Sequence, residues 1–258
     1  MTVLADYEQK YDIARFKRQD GVLEIALQSP GGGPLIWSRL SHEQLGNVWN
    51  DVGADRENEV IIVTGSGNAF IPSVQQGPLA AFGPEDWDEI ASNGKRLRRN
   101  LLAIEVPMIA AVNGPARIHS EQALMCDIVI ASDNTEFQDT GHFISGLVPG
   151  DFVQTVYTHL LGVNRGRYFL YMGQTIDAAE ALRLGLVSEV MSQAELLPRA
   201  HEIARHIMER PRMVRRHTRA AAIDLLRRLH ADHHDLGLSL EALGIWGAFH
   251  QRPAPNRP

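Results

Sequence analysis

The sequence has a single cysteine, Cys126, so no intrachain disulfide can form, and its apolar neighbours Leu124, Met125 and Ile128 suit a buried structural thiol. No apolar run approaches the ~18 to 20 residues that span a bilayer, and the opening Met1-Thr2-Val3-Leu4-Ala5-Asp6 has neither the basic flank nor the apolar stretch of a leader. These absences point to a cytoplasmic protein with no membrane partner. Positive charge is not in excess: 25 basic side chains against 31 acidic ones leave a net charge of −6. Binding a phosphate backbone needs a concentrated positive field, so no nucleic-acid partner is expected. Repeats of fixed period and low-complexity segments are absent as well. What is present, 44% hydrophobic and 22% charged residues over 258 positions, is the composition of one large globular core with an appendage.

Two strand-like runs, Tyr11 to Phe16 and Val22 to Leu27, flank Asp20-Gly21, a dipeptide suited to the positive φ of a hairpin turn. Ser41 stands three residues before Gln44, the spacing of a capping box, and Leu45, Val48, Trp49 and Val52 follow at helical spacing, which predicts a helix from Ser41 to Val52. Val60 to Val63, Met108 to Val112 and Asp127 to Ala131 read as strands buried on both faces. Pro84 opens the clearest amphipathic helix, with Trp87, Ile90, Gly94, Leu97, Leu101 and Ile104 on one face. Further helices are expected around Phe152 to Leu161, Arg165 to Met172 and Ala178 to Leu184, with a strand at Leu186 to Val190. Strands and helices alternate, so the fold class is α/β. From Glu195 onward the pattern is helical, with a break at Pro211, an apolar stripe of Leu236, Leu240, Leu243 and Trp246, and a fraying end from Arg252 to Pro258. This helical region suits docking or oligomerisation.

Gly31-Gly32-Gly33 and Gly65-Ser66-Gly67 fit neither phosphate-binding loop pattern and read as turns. The arginines at 205, 210, 212, 215, 216, 219, 227 and 228 alternate with apolar residues and read as the solvated faces of helices. His230, His233 and His234 could meet a metal on one helix face, but no fitting acidic or cysteine partner with a motif accompanies them, and surface histidines are the simpler reading. The informative stretch runs from Phe137 to Asp151. His142 and Asp151 stand on either side of Gly146-Leu147-Val148-Pro149-Gly150, a turn able to bring them together. An imidazole oriented by a carboxylate is the minimal device for taking a proton from water at neutral pH. A second histidine, His119, follows a buried strand, where loop residues of an α/β sheet meet ligands.

In order and spacing, Val60 to Val63 with Thr64-Gly65-Ser66-Gly67-Asn68-Ala69-Phe70, then Pro107-Met108-Ile109-Ala110-Ala111-Val112-Asn113-Gly114, Cys126-Asp127-Ile128-Val129-Ile130-Ala131-Ser132 and Gly146-Leu147-Val148-Pro149-Gly150 resemble the crotonase (enoyl-CoA hydratase/isomerase) superfamily. The match extends through Gly173-Gln174, Ala178, Ala181, Gly185-Leu186-Val187 and Val190. It implies a crotonase fold, with a core of repeated β-β-α turns over residues 1–194. It also implies a C-terminal helical region over 195–258 that makes a homo-oligomer, a trimer or dimer of trimers.

Two departures from the acyl-CoA pattern stand out. Where such crotonases carry a small residue, glycine, alanine and aspartate after the phenylalanine, this chain has Phe70-Ile71-Pro72-Ser73-Val74-Gln75. Where they carry a glycine pair, it has Arg117-Ile118-His119-Ser120-Glu121. Proline has no N–H to give an oxyanion hole, and His119 adds bulk where backbone approaches closely. Counting back from Pro149-Gly150 places His142 where hydratases keep a catalytic glutamate. Together with Asp86-Trp87-Asp88-Glu89-Ile90, Asn164-Arg165-Gly166-Arg167-Tyr168-Phe169-Leu170 and Glu195-Leu196-Leu197-Pro198-Arg199-Ala200, this is similar to the cyclic β-diketone hydrolases of the 6-oxocamphor hydrolase type.

That similarity implies a hydrolase acting on carbon–carbon bonds in ketonic substances, a retro-Claisen enzyme that desymmetrises a small cyclic diketone and needs neither metal nor organic cofactor. It also implies the site: His142 and Asp151 as a water-activating dyad, His119 in the former oxyanion region, Glu241 as a proton donor and Trp37 as a hydrogen-bond donor to a substrate carbonyl. Without the resemblance Glu241 reads as a solvated helix residue and Trp37 as a core aromatic. Phe82, Phe143 and Phe152, with Leu79 and Trp246, are expected as pocket walls. The alternatives are a CoA-dependent hydratase or isomerase with His142 in place of glutamate, and a non-catalytic scaffold.

Overall fold

The computed structural model describes residues 2–75 and 83–249. The first two strands, β1 (Ala14–Gln19) and β2 (Val22–Leu27), form an antiparallel hairpin with Gln19 opposite Val22. Asp20 and Gly21 both take positive φ, +50° and +79°, the turn that matches the right-handed twist of paired strands. β1 lies three residues later than the Tyr11 to Phe16 run suggested. Tyr7 and Tyr11 are buried, and their hydroxyls are tied to Asp55 and Asp51, which holds the segment before the strand as a packed lead-in.

β3 (Ile36–Trp37) leads into α1 (Arg39–Ala54), which starts earlier than expected. Ser38 is the N-cap: its Oγ accepts from Ser41 N, and Ser41 Oγ accepts from Ser38 N, so Ser41 completes the capping box. Then follow β4 (Val60–Gly65), β5 (Ser73–Val74), α2 (Pro84–Ala103), β6 (Met108–Val112), the single turn α3 (Glu121–Leu124), β7 (Ile128–Ser132) and β8 (Glu136–Phe137). The rest is α4 (Val153–Leu161), α5 (Val163–Met172), β9 (Ile176–Asp177), α6 (Ala178–Leu184), β10 (Glu189–Met191), α7 (Gln193–Met208), α8 (Arg212–Ala222) and α9 (Asp224–Phe249). The strand expected over Leu186 to Val190 is β10, shifted toward the C-terminus, because Leu186 and Val187 turn into the core.

The main sheet has the order β1-β2-β4-β6-β7-β10, parallel apart from the first hairpin. Its central strands are continuous apolar runs because both faces are covered. Val60, Ile62, Ile109, Ala111 and Ile130 pack on Leu196, Ala200 and Ala204 of α7, while Ile61, Val63, Met108, Ala110 and Val112 face α1 and α2. The helical region beginning at Glu195 therefore contributes its first helix to the body, and α9 packs back onto it through Leu226 and Leu229. Asn113, after β6, bonds the backbone of Gly65 and Gly67, so this glycine segment is a turn pinned by a side chain.

Two arginines of the basic stretch are buried, against expectation. Arg219 Nε and Nη2 donate to the carbonyls of Ile104 and Leu101 at the end of α2, and its Nη1 meets Asp127 Oδ2 at 2.5 Å. Arg215 donates to the carbonyls of Met208 and Arg210 and pairs with Glu59. Both supply partners to carbonyls that helix ends leave open, which is why a charged face turns inward. His234 also differs from the surface reading: it is 2% exposed and, with His230, packs on Phe152. Cys126 is partly buried against the core, and desolvation pushes its thiol up to about 12. No helix among the described residues is long and apolar enough to cross a membrane, and the end at 252–258 lies outside the described residues.

Candidate active site

A cavity of about 490 Å³ opens between the C-terminal side of the sheet, α2 and α9. Trp37, His42, Arg98, His119, His142, Asp151 and Glu241 line it. His119 comes from the loop after β6, where its backbone takes φ +46°. That left-handed conformation is costly for a residue with a Cβ, and it turns the imidazole inward. His142 heads a short helical turn over Phe143–Ser145. Asp151 sits one residue before Phe152, whose φ of +90° caps α4, and Asp151 Oδ1 accepts from Val153 N at 3.3 Å.

Glu241 reaches the site because α9 crosses the Pro149–Asp151 loop almost backbone to backbone. A Cβ on Gly150 would fall 2.1 Å from Gly237 O, and one on Gly237 would fall 2.1 Å from Gly150 O. Only glycine at both positions permits the crossing. One helical turn past Gly237, Glu241 Oε1 lies 3.7 Å from His142 Nε2.

The partner of His142 differs from the sequence expectation. Its Nδ1 is 2.7 Å from Asp139 Oδ1, whereas Asp151 Oδ2 stands 3.6 Å from Nε2, beyond hydrogen-bond length. The orienting carboxylate is thus Asp139, three residues upstream in the same turn. Asp151 bonds elsewhere: its Oδ2 is 2.8 Å from His119 Nδ1 and 2.7 Å from Arg98 Nη2. His119 Nδ1 is also 3.2 Å from Glu121 Oε1, and Glu121 is 2.8 Å from the same Arg98 nitrogen.

His119, Glu121 and Asp151 each bring one ligand atom within 4.8 Å of the others, the spacing of a metal set. Arg98 Nη2, within 3.1 Å of all three, already supplies the positive charge at their centre. Arg98 is fully buried and sits in a Lys95-Arg96-Leu97-Arg98-Arg99 run that reads as solvated. Its signal was its place four residues after Gly94 and three before Leu101, on the inner stripe of α2.

Trp37 lines the cavity, with its ring 4.0 Å from that of His119, but its indole N–H is donated to His42 Nε2 at 2.8 Å. The indole N–H is therefore already engaged and not open to a substrate carbonyl. His42 itself follows Trp37 by five residues, in the first turn of α1. Burial, with His119 and Arg98 nearby, holds its pKa well below the usual histidine range, so it is a neutral acceptor with its own proton on Nδ1. Of the expected walls, Phe143 is half-exposed on the outer surface against Tyr171, and Phe152 is buried beneath the site against His230. Phe82 and Leu79 lie outside the described residues, and Trp246 is on the exposed side of α9. The observed apolar walls are Val74, Trp87, Ile90, Ile118, Leu147, Leu238 and Ile245.

Burial opposes charge throughout the cluster, and specific neighbours override it in places. For His142 burial is outweighed by Asp151 and Asp139, which raise its pKa well above the usual value. For His119 burial is outweighed by Asp151 and Glu121, and its pKa is raised. Asp151, against its burial, is held well below the usual carboxylate range by His142, Arg98 and His119. Glu241 follows its burial: desolvation lifts it to about 8, with His142 opposing, so it is a protonated acid at neutral pH. An imidazole and a carboxyl 3.7 Å apart, both with raised pKa values and facing a largely apolar cavity, suit acid–base work on an uncharged ligand.

Part of the backbone aligned with the usual thioester-binding segments is bonded within the protein. Ile71 O accepts from both Arg117 N and Ile118 N, Gln75 N donates to Trp37 O, and Pro72 has no N–H. These N–H groups are engaged or absent.

A family model described as enoyl-CoA hydratase/isomerase matches residues 17–235. A solved structure of a β-diketone hydrolase from the cyanobacterium Anabaena sp. PCC 7120, bound to (S)-3-oxocyclohexyl acetic acid, superimposes with a TM-score of 0.89 at 39% identity, covering 93% of this chain and 96% of that one. Among curated relatives, a crotonyl-CoA hydratase of Syntrophomonas wolfei is 33% identical over 73% of this chain and 74% of its own length. A probable enoyl-CoA hydratase of Mycobacterium leprae is 32% identical over 82% of this chain and 81% of its own length.

Proposed function

The chain belongs to the enoyl-CoA hydratase/isomerase family, the crotonase superfamily, and within it we propose that this protein hydrolyses a carbon–carbon bond of cyclic β-diketones without coenzyme A or any other cofactor. The observation that carries this reading is the imidazole of His142, bonded at Nδ1 to Asp139 and with Nε2 between the carboxyl groups of Asp151 and Glu241. Similarity to a β-diketone hydrolase whose bound molecule is by name a keto acid supports it.

In this reading water adds its oxygen to one carbonyl carbon and gives its proton to His142 Nε2, with Asp151 steering the water. The tetrahedral oxyanion forms beside His119, whose raised pKa favours its hydrogen-bond-donating cationic form; removing one such donor typically costs about 10²–10³-fold in rate. Collapse breaks the bond to the shared α-carbon, leaving its electron pair as an enolate on the second carbonyl. Glu241 delivers a proton to that carbon and is reprotonated from His142. One diketone and one water give one keto acid. Delivery from a fixed carboxyl protonates one face, so a symmetric diketone yields one enantiomer.

Curated relatives named as enoyl-CoA hydratases favour a second reading, acid–base chemistry on an acyl-CoA thioester. The engaged N–H groups of Arg117 and Ile118, and Pro72, count against it. Acid release from a bridged bicyclic and a monocyclic β-diketone, with no coenzyme A present, separates the two. We expect one equivalent of acid per diketone and no heat on calorimetric titration with coenzyme A. Hydration of an enoyl-CoA with both diketones untouched would replace the first reading by the second.

We also propose that α8 and α9, within the 195–258 region, carry contacts of a homo-oligomer. Leu236, Leu240 and Leu243 on α9 are half-exposed or more, and Leu240 joins Val163 and Tyr171 in a wide groove of about 1210 Å³. Contiguous apolar surface of this kind suits a second copy of the chain. Light scattering should give a multiple of 28.6 kDa, falling toward 28.6 kDa on Leu240→Glu; a monomeric wild type would sink this proposal.

A further inference from the structure

Glycine is the poorest helix former after proline, so a glycine inside a long helix needs a reason. For Gly46 of α1 the reason is packing, since a Cβ there would lie 3.2 Å from Leu97 N on α2. Gly53 likewise faces Ile104 Cγ1, 3.3 Å from its Cβ position. Gly94, midway along α2, has no such neighbour. Apart from its two chain neighbours and the backbone of its own helix, the one atom among the described residues within 4 Å of the Cβ position is Arg98 Nη1, at 3.7 Å, an ordinary van der Waals distance. Gly94 is nevertheless buried and lines the catalytic cavity. Trp87 and Ile90 precede it by seven and four residues on the same helical face, and Leu238 and Ile245 of α9 line the same space. Among the described residues, the missing side chain corresponds to open volume beside the guanidinium that holds Asp151.

We propose that Gly94 is a specificity-determining residue, whose absent side chain makes room for the bulk of a second ring or a ring substituent on the substrate. The inference rests on the diketone reading for the substrate's chemistry, but the space it concerns is independent of that chemistry. A methyl at this position narrows the cavity without displacing backbone, so a compact monocyclic β-diketone is hindered less than a bridged bicyclic one. One methylene in an apolar pocket discriminates by roughly 10–200-fold.

The test compares wild type, Gly94→Ala and Gly94→Val on a bridged bicyclic and a monocyclic β-diketone. We expect the ratio of kcat/KM, bicyclic over monocyclic, to fall by about 10-fold or more in Gly94→Ala and further in Gly94→Val. The melting temperature of Gly94→Ala should be no lower than that of wild type, as alanine favours the helix. An unchanged ratio in both variants overturns the inference. If the wild type hydrolyses neither diketone, the diketone reading fails by itself, and the space is then read by thermal shift. A bicyclic ketone that stabilises wild type but not Gly94→Ala, while cyclohexanone stabilises both, upholds the size role. Equal shifts for both proteins defeat it.

Discussion

His142→Ala is expected to lower kcat on a cyclic β-diketone by about 10²–10⁴-fold, the range supplied by a positioned general base, while fold and oligomer persist. A general base acts through its neutral form, and Asp151 and Asp139 raise the His142 pKa, so the acidic limb of the wild-type profile lies above the ordinary histidine value of 6.5. Glu241 must be protonated to act as the acid, and burial places it near 8, so activity falls again as pH rises through about 8. Because the two groups stand 3.7 Å apart, these limbs belong to the pair: the working state is the one-proton form of the pair in which Glu241 carries the proton and His142 is neutral. Glu241→Gln should lower kcat and abolish the alkaline limb, because an amide neither ionises nor donates an acidic proton. A stopped-assay pH series on wild type, His142→Ala and Glu241→Gln checks both assignments. An alkaline limb unchanged in Glu241→Gln would remove Glu241 from the acid's role, and full activity in His142→Ala would remove His142 from the base's role.

Most of the architecture was legible because its signals are local. Apolar runs bounded by turns marked β2, β4, β6 and β7, and the 3.6-residue stripe from Trp87 to Ile104 marked α2. His119, His142, Asp151 and Glu241 do converge on one cavity, which single-residue patterns could not show and family spacing could. The pairing within the cluster was illegible for a physical reason. The fold-back from His142 to Asp151 brings the carboxylate toward Nε2, while the turn Asp139-Thr140-Gly141-His142 already presents Asp139 to Nδ1 at 2.7 Å. Similarly, Trp37 donates to His42 across the cap of α1, and Arg98 hides among solvated cations because only its helical phase with Gly94 and Leu101, not its charge, marks it as the member that faces inward. Phe152 was misplaced for another reason: its backbone turns left-handed to start α4, which points the ring toward α9 and His230.

Arg98→Leu is expected to be the most destabilising single change at the site. The guanidinium is fully buried, and its Nη2 meets Glu121 at 2.8 Å, Asp151 at 2.7 Å and His119 at 3.1 Å. Removing one partner from a buried ion cluster strands the others, at a cost of about 3–5 kcal/mol. For a chain of this size that corresponds to a fall in Tm of roughly 6–20 °C, using about 2–4 °C per kcal/mol. The loss has a defined pH dependence. Asp151 is held well below its usual pKa in the wild type, so it contributes stability above about pH 4, and that contribution fades as pH falls through its folded value. His142 lowers Asp151 more than Arg98 does, so without Arg98 part of this contribution disappears; the deficit of the variant is largest near pH 7 and shrinks toward pH 4, where a stranded carboxyl can take a proton. Adding Glu121→Gln should recover part of the loss at pH 7, since it removes one stranded charge, and the double-mutant cycle measures that coupling. Catalysis should fall in parallel, because Asp151 and His119 lose the contact that fixes them beside His142. Urea unfolding at pH 4 and pH 7 decides the matter: an Arg98→Leu protein within about 1 kcal/mol of wild type at pH 7 would mean that the histidines alone neutralise the two carboxylates.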